Sequence, residues 1–239
     1  MKINRILVAI VLLAFLSFSL PVAAQAPKEE EPQGMPQFLQ DAKYRKALAG
    51  LFKGCSQLGF TWYWAKPKRK EAFYLPVLMG FDSQGNTKAA AVVLKPRKRG
   101  QLIVATGIVE ETKNEFKFSG MHLVEQDAKG PLRNKNYRGQ LFFKQFRGKE
   151  ATEKLRLHGS VDAVSGATKS ALGIVYALRD AVPWLKDCIE SRELAAKALS
   201  NKIDLLQEYE PSQVIAEYDK PLPKPRRRRK LFGFLPLPF

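Results

Sequence analysis

FYLPVLMGFDSQGNTKAAAVVLK, residues 73 to 95, decides the reading of the fold. Two apolar runs stand either side of Asp82-Ser83-Gln84-Gly85-Asn86. Asp and Asn are turn formers because their short side chains bond nearby backbone, and Gly accepts positive φ. Five such residues between two strands predict a hairpin closed by a loop rather than by a tight two-residue turn. Beyond it, residues 96–100 (PRKRG) read as another turn and 101–109 (QLIVATGIV) as a strand. Two shorter strand pieces are expected at EFKFS and MHLVEQ.

Helical spacing takes over on both sides of these strands. Residues 37–59 are expected to be helical, with Phe38, Ala42, Leu48, Leu51 and Phe52 as a rough apolar stripe. Trp62 and Trp64 follow, beside the basic cluster at 66–70. They are read as aromatic packing against the main domain, the other use of such a pair being a stacking platform for a ring. Leu141, Phe142 and Phe146 predict a short helix within residues 134–149. Ala171, Ile174, Val175, Leu178 and Val182 predict another, stopped by Pro183. A further helix is expected through Leu185, Cys188, Ile189, Ala196, Leu199, Ile203 and Leu206. The class is therefore α+β: a small mixed sheet with hairpins packed against a few helices, flanked by N- and C-terminal helical extensions.

The ends of the chain have their own chemistry. Lys2 and Arg5 precede an apolar run from Ile6 to Ala24, and Ala24-Gln25-Ala26 fits a small-x-small cleavage site. Residues 1–26 read as an export signal, or as an N-terminal anchor if kept, and either places the body outside the cytoplasm. Residues 27–36 read as a Pro- and Glu-rich linker. The formal net charge is +17, but Lys220, Lys224, Arg226–Arg229 and Lys230 put seven of those charges in an acid-free tail, 220–239. The high charge thus reflects a tail more than a nucleic-acid-binding face, and the expected exported location argues against nucleic acid. Its basic block precedes Leu231, Phe232, Phe234, Leu235, Leu237 and Phe239. Such a segment suits an anionic membrane surface, an acidic partner, or a solvated Pro-rich end. Cys55 and Cys188 are the only cysteines, able to pair in an oxidising compartment or to stay as two free thiols. Without CxxC or clustered Cys and His, no metal site is expected.

VDAVSGATKSALGIV, residues 161–175, carries the chemistry. A hydroxyl at the first turn of a helix meets unpaired N–H groups and the positive end of the helix dipole, a suitable place for an esterified phosphate. An ordinary helix cap uses the same residue types. Lys169 stands beside Thr168 as a counter-charge, and Asp162 suits an Asx turn. The phosphate-loop order G-x-x-x-x-G-K-[ST] is absent, and Ala163-Val164-Ser165-Gly166 lacks the first glycine of a nucleophile elbow. His158, with only His122 as company, is read as structural or as a border to a bound ring, not as a base.

Asp162-Ala163-Val164-Ser165-Gly166-Ala167-Thr168 resembles the D-x-x-[ST]-G-A-[TS] motif of the FMN-binding domain family. That family includes the small exported subunits of the sodium-pumping NADH:quinone reductase and of the Rnf complex. Residues 80–93 resemble the family's early hairpin, and FFKQFRGK its F-x-x-Q-F-x-G-K helix end. The likeness spans about 71–182. KPRKRGQ stands where the family often has a glycine-bearing His-Lys-Glu-Thr-like stretch.

The resemblance implies an FMN-binding domain over 71–182, between an N-terminal extension (37–70), a C-terminal helical extension (183–219) and the tail. It further implies FMN joined to Thr168 through a phosphoester by a flavin transferase using FAD and magnesium. Asp162, Ser165, Gly166 and Ala167 would form the recognition frame. The function implied is that of an exported, periplasmic or extracytoplasmic electron-transfer flavoprotein. It would relay electrons between redox donor and acceptor proteins and have no group-transfer activity of its own. The alternative is a non-catalytic exported module that docks through its tail.

Overall fold

The computed structural model describes residues 30–67, 71–96, 102–126, 132 and 137–220. The leader, the ends of the basic stretches at 68–70 and 97–100, and the tail from 221 lie outside the described residues.

Five strands form one antiparallel sheet in sequence order: β1 (Gln57–Ala65), β2 (Phe73–Phe81), β3 (Thr87–Leu94), β4 (Leu102–Thr112) and β5 (Glu115–Gln126). The class is α+β, as expected, and the sheet runs antiparallel throughout. The helices are α1 (Ala42–Ala49), α2 (Tyr137–Lys144), α3 (Thr168–Glu190), α4 (Arg192–Ser200), α5 (Leu205–Glu208) and α6 (Pro211–Asp219). The β2–β3 hairpin is closed by Asp82, whose carboxylate accepts from the N–H groups of Gln84 and Asn86 at 2.9 Å each. Gly85 takes φ +83° there, the loop its residues predict.

Both faces of the sheet are buried. Val77, Met79, Ala90, Val92 and Val104 face α2 and α3. Leu58, Phe60, Leu78, Ala89, Ala91 and Ala105 face α1 and α5 on the other side. Alternate residues of β2 and β3 thus enter different cores, which is why these strands read as unbroken apolar runs. The cysteines divide in the same way. Cys188 lies in the first core and Cys55 against the second, and both are free thiols. Burial pushes Cys55 up to about 11 and Cys188 higher still, so neither is a thiolate at neutral pH.

Three local expectations are corrected. The helix expected over 37–59 is a 3₁₀ turn (Gln37–Gln40) and α1 only; Gly54, at φ +84°, reverses the chain into β1. Trp62 and Trp64 therefore stand on a strand. Trp62 packs on the second core, and Trp64 pairs across to Tyr74 with ring centroids 4.7 Å apart. Pro183 does not stop α3, which runs on to Glu190, so the further helix expected from Leu185 to Leu206 is instead the end of α3 followed by α4 and α5, with Ile203 in the stretch between them. A mid-helix proline costs ~3 kcal/mol, and burying Leu185, Cys188 and Ile189 outweighs it at ~1.5–3 kcal/mol for each large side chain. The two pieces EFKFS and MHLVEQ are one strand. The register moves from Gly107↔Gly120 to Ile108↔Phe118, leaving Ser119 as an extra residue. That bulge restores the phase, so Phe118 and Met121 enter the same core.

Backbone bonds continue past each outer strand. Phe60 N donates to Asn201 O (3.1 Å) and Ile203 N to Leu58 O (3.0 Å), laying residues 201–203 along β1. Phe118 N donates to Lys149 O and Ala151 N to Phe116 O, both at 2.8 Å, laying 148–151 along β5. Gly59 makes the first contact feasible, because a Cβ there would lie 2.0 Å from the Ala198 carbonyl oxygen. Gly59→Ala should cost about 3 kcal/mol in denaturant unfolding. Gly85→Ala, in open space, should cost only the left-handed strain of ~1–2 kcal/mol.

His122 on β5 is buried, its Nδ1–H donating to the Ala47 carbonyl at 2.7 Å. Tyr218 of α6 stacks on the ring at 4.0 Å and 1°. Burial, with Arg147 nearby, lowers its pKa to about 4. Above pH 6.5 the imidazole is neutral in both folded and unfolded chains and contributes no pH dependence. Below that the unfolded chain takes up a proton that the native chain refuses, so stability falls until about pH 4. Unfolding free energy should drop by about 3 kcal/mol across this window. His122→Asn, which keeps a donor for Ala47, should flatten that slope.

Candidate functional site

The segment between α2 and α3 is built in three fixed pieces. Gly148, at φ +72°, turns the chain back along β5. Arg156 to Val161 then closes on itself: Val161 N donates to Arg156 O (3.0 Å), His158 N to Val161 O (2.9 Å) and Arg156 N to Ser160 Oγ (2.8 Å). Lys149 Nζ donates to the Ser160 carbonyl, tying this turn to the first piece. His158 has φ +63° and is exposed, a turn residue.

Asp162 follows, held by one side chain. Gln145 accepts from its N–H through Oε1 (2.7 Å) and donates to its carbonyl through Nε2 (3.2 Å). Val164 and Ala167 are buried in the first core, while Ser165, Gly166 and Thr168 are exposed. Ala167 N donates to Val164 O at 2.8 Å across a four-residue turn. Gly166 occupies its third position at φ +81°, the geometry of a type II turn.

The structure rules out the capping use of these hydroxyls. Ala167 holds the N-cap position at φ −117°, and among the described residues no side-chain cap bond closes α3. Thr168 is the first helical residue, so its hydroxyl stands at the N-terminal end of the helix, where backbone N–H groups gather. The positive end of a 23-residue helix favours a negative charge there by ~0.3–1 kcal/mol.

Beside this end lies a cavity of about 390 Å³, a volume typical of small-molecule sites. Asp162, Ala163, Val164 and Ser165 form one wall; Leu141, Phe142 and Gln145 form the other. Of the five residues expected at the site, Asp162 and Ser165 line the cavity. Gly166 and Ala167 shape the turn behind it, and Thr168 begins the helix three residues past Ser165. His158 does not line it, and His122 is engaged with Ala47 and Tyr218. Among the described residues no group of three or more His, Cys, Asp or Glu is gathered for a metal ion, and no helix is long and apolar enough to cross a membrane.

Gln145 and Leu141 were not assigned roles from the sequence. The only signal for Gln145 was its place in FFKQFRGK; its partners are backbone atoms seventeen residues away, which no spacing reveals. Comparison of the chain with protein-family models, curated proteins and solved structures finds no match in any of the three.

Gln145→Leu should leave the global fold in place, at a cost of ~1–2 kcal/mol. Hydrogen exchange at the Asp162 amide should rise about ten-fold or more, since Gln145 Oε1 is the acceptor of that N–H.

Proposed function

We propose that this chain is an exported electron carrier bearing FMN on Thr168 through a phosphoester. A flavin transferase that draws on FAD and magnesium would attach it. One arrangement supports the reading above others: an exposed threonine hydroxyl at the start of a helix, three residues from a cavity walled by Asp162 and Ser165. The resemblance of residues 162–168 to the family's attachment motif supplies the identity of the group.

The residues fit that group. The first turn of α3 offers N–H groups and a favourable dipole to a phosphate on Thr168. Leu141, Phe142 and Val164 offer an apolar wall to a flat ring, while Gln145, Asp162 and Ser165 offer polar atoms to its edge. When bound, FMN supplies the ability to accept and pass on electrons singly or in pairs. Everything else is positional. Val164 and Ala167, sunk in the core, fix where the Thr168 hydroxyl stands, and Gln145 fixes Asp162 beside it. Gly166, exposed and without a side chain, leaves the approach of a modifying enzyme unobstructed.

Attachment replaces the Thr168 O–H bond with an O–P bond to the FMN phosphorus. The bond from that phosphorus to the AMP half of FAD breaks, and AMP leaves. A covalent tether suits a protein outside the cytoplasm, where dissociated FMN would diffuse away. Electrons would then pass from a membrane oxidoreductase to an extracytoplasmic acceptor.

Co-expression with a flavin transferase should give a yellow protein, fluorescent on a denaturing gel and heavier by one FMN less one water. The added mass should map to the peptide containing Thr168, and Thr168→Ala should abolish it. A bare polypeptide from the same cells would overturn the proposal.

A further inference from the structure

His122 and Arg147 each carry a buried nitrogen, Nε2 of the one and Nε of the other, that meets no partner among the described residues. Their roles are opposite. Nδ1–H of His122 donates to the Ala47 carbonyl (2.7 Å), so the neutral ring keeps its lone pair on Nε2 and accepts there. A guanidinium only donates, and Arg147 offers its Nε–H. Both atoms border one spot: a Cβ built on Gly120 of β5 would lie 3.7 Å from His122 Nε2 and 3.8 Å from Arg147 Nε. Neither side chain is free to close on the other. Tyr218 lies flat on the imidazole at 4.0 Å, and Gly50 abuts its Cε1 so closely that a Cβ there would come within 2.7 Å. Arg147 is held through Nη1 by the Asp219 carboxylate.

We propose that one water molecule is bound over Gly120, accepting from Arg147 Nε–H and donating to His122 Nε2. The spot asks for a ligand that accepts on one side and donates on the other. An anion has no proton for the ring, and an ammonium has no lone pair for the guanidinium. Leu51 Cδ2, 3.3 Å from the same Cβ position, closes the apolar side and leaves a place suited to a single heavy atom. Ordering one water is a smaller penalty than leaving a buried donor and a buried acceptor both unpaired. The water completes a line of bonds from α1 through β5 to α6: the Ala47 carbonyl, His122, the water, Arg147 and Asp219. Arg147 stands directly before Gly148, where the chain turns back along β5 toward the candidate site. The bound water thus fixes the head of that segment.

Gly120→Ala separates a water from bare space by the sign of its effect. The position carries no left-handed strain, and a methyl added to a strand glycine in bare space favours folding. A methyl that takes the place of the water strands both nitrogens instead. The unfolding equilibrium constant of the full chain should therefore rise about five-fold or more. A crystal structure of the full chain, at a resolution that shows ordered water, should hold one density peak within about 3.2 Å of both nitrogens. That peak should be missing from Gly120→Ala protein. No peak in the parent, or a direct bond between His122 and Arg147, overturns the proposal. So does Gly120→Ala protein as stable as the parent or more so. The parent's density answers the question alone if the variant fails to fold. Both measurements are made without flavin, so they stand whether or not Thr168 is modified.

Discussion

A sheet that is apolar on both faces has to be covered twice, and that requirement organises the whole molecule. Val77 and Met79 look one way along β2 and Leu78 the other, so neither face can be left to water. The long α3 and short α2 take one side; α1 and α5 take the other. The coverage comes from both ends of the chain, so residues before β1 and after α3 belong to the same packed structure as the hairpins. Alanines at 89, 90 and 91 keep the centre of the sheet thin enough for both layers to seat.

The candidate site inherits its precision from that packing. Val164 and Ala167 are core residues, and the exposed Ser165, Gly166 and Thr168 are carried between and just after them. A turn pinned at both ends by buried side chains positions a surface hydroxyl more firmly than a loop of the same length held by water. Gln145, just past the end of α2, completes the arrangement, and its two bonds to the Asp162 backbone tie the cavity's walls together. The left-handed φ of Gly166 is the local cost of this geometry, met by a residue that bears it easily.

Local chemistry made much of this legible. Asp82, Gly85 and Asn86 declare their loop because they bond to neighbours within four residues. The start of α3 is equally plain, since a Gly-Ala-Thr turn runs straight into helical spacing. What failed to show depended on distant partners. β1 was missed because a helical stripe leads into it; the alternation of Leu58, Phe60 and Trp62, which all face the second core, was divided between an expected helix end and an aromatic cluster. Pro183 misled because the stop it signals is overridden by burial further on. Ser119 split one strand into two on paper, since an inserted residue breaks the period without breaking the strand. Of the site, the motif was readable; the opposing wall from Leu141, Phe142 and Gln145 was not.

The segments lying along β1 and β5 have a consequence for how this protein meets others. An open sheet border is a template on which a stranger's backbone can assemble, the usual seed of fibrils and of strand exchange between copies. Here residues 201–203 and 148–151 already occupy one end of each border, at Leu58–Phe60 and Phe116–Phe118. That shortens the run of main chain on which a second copy could stitch itself.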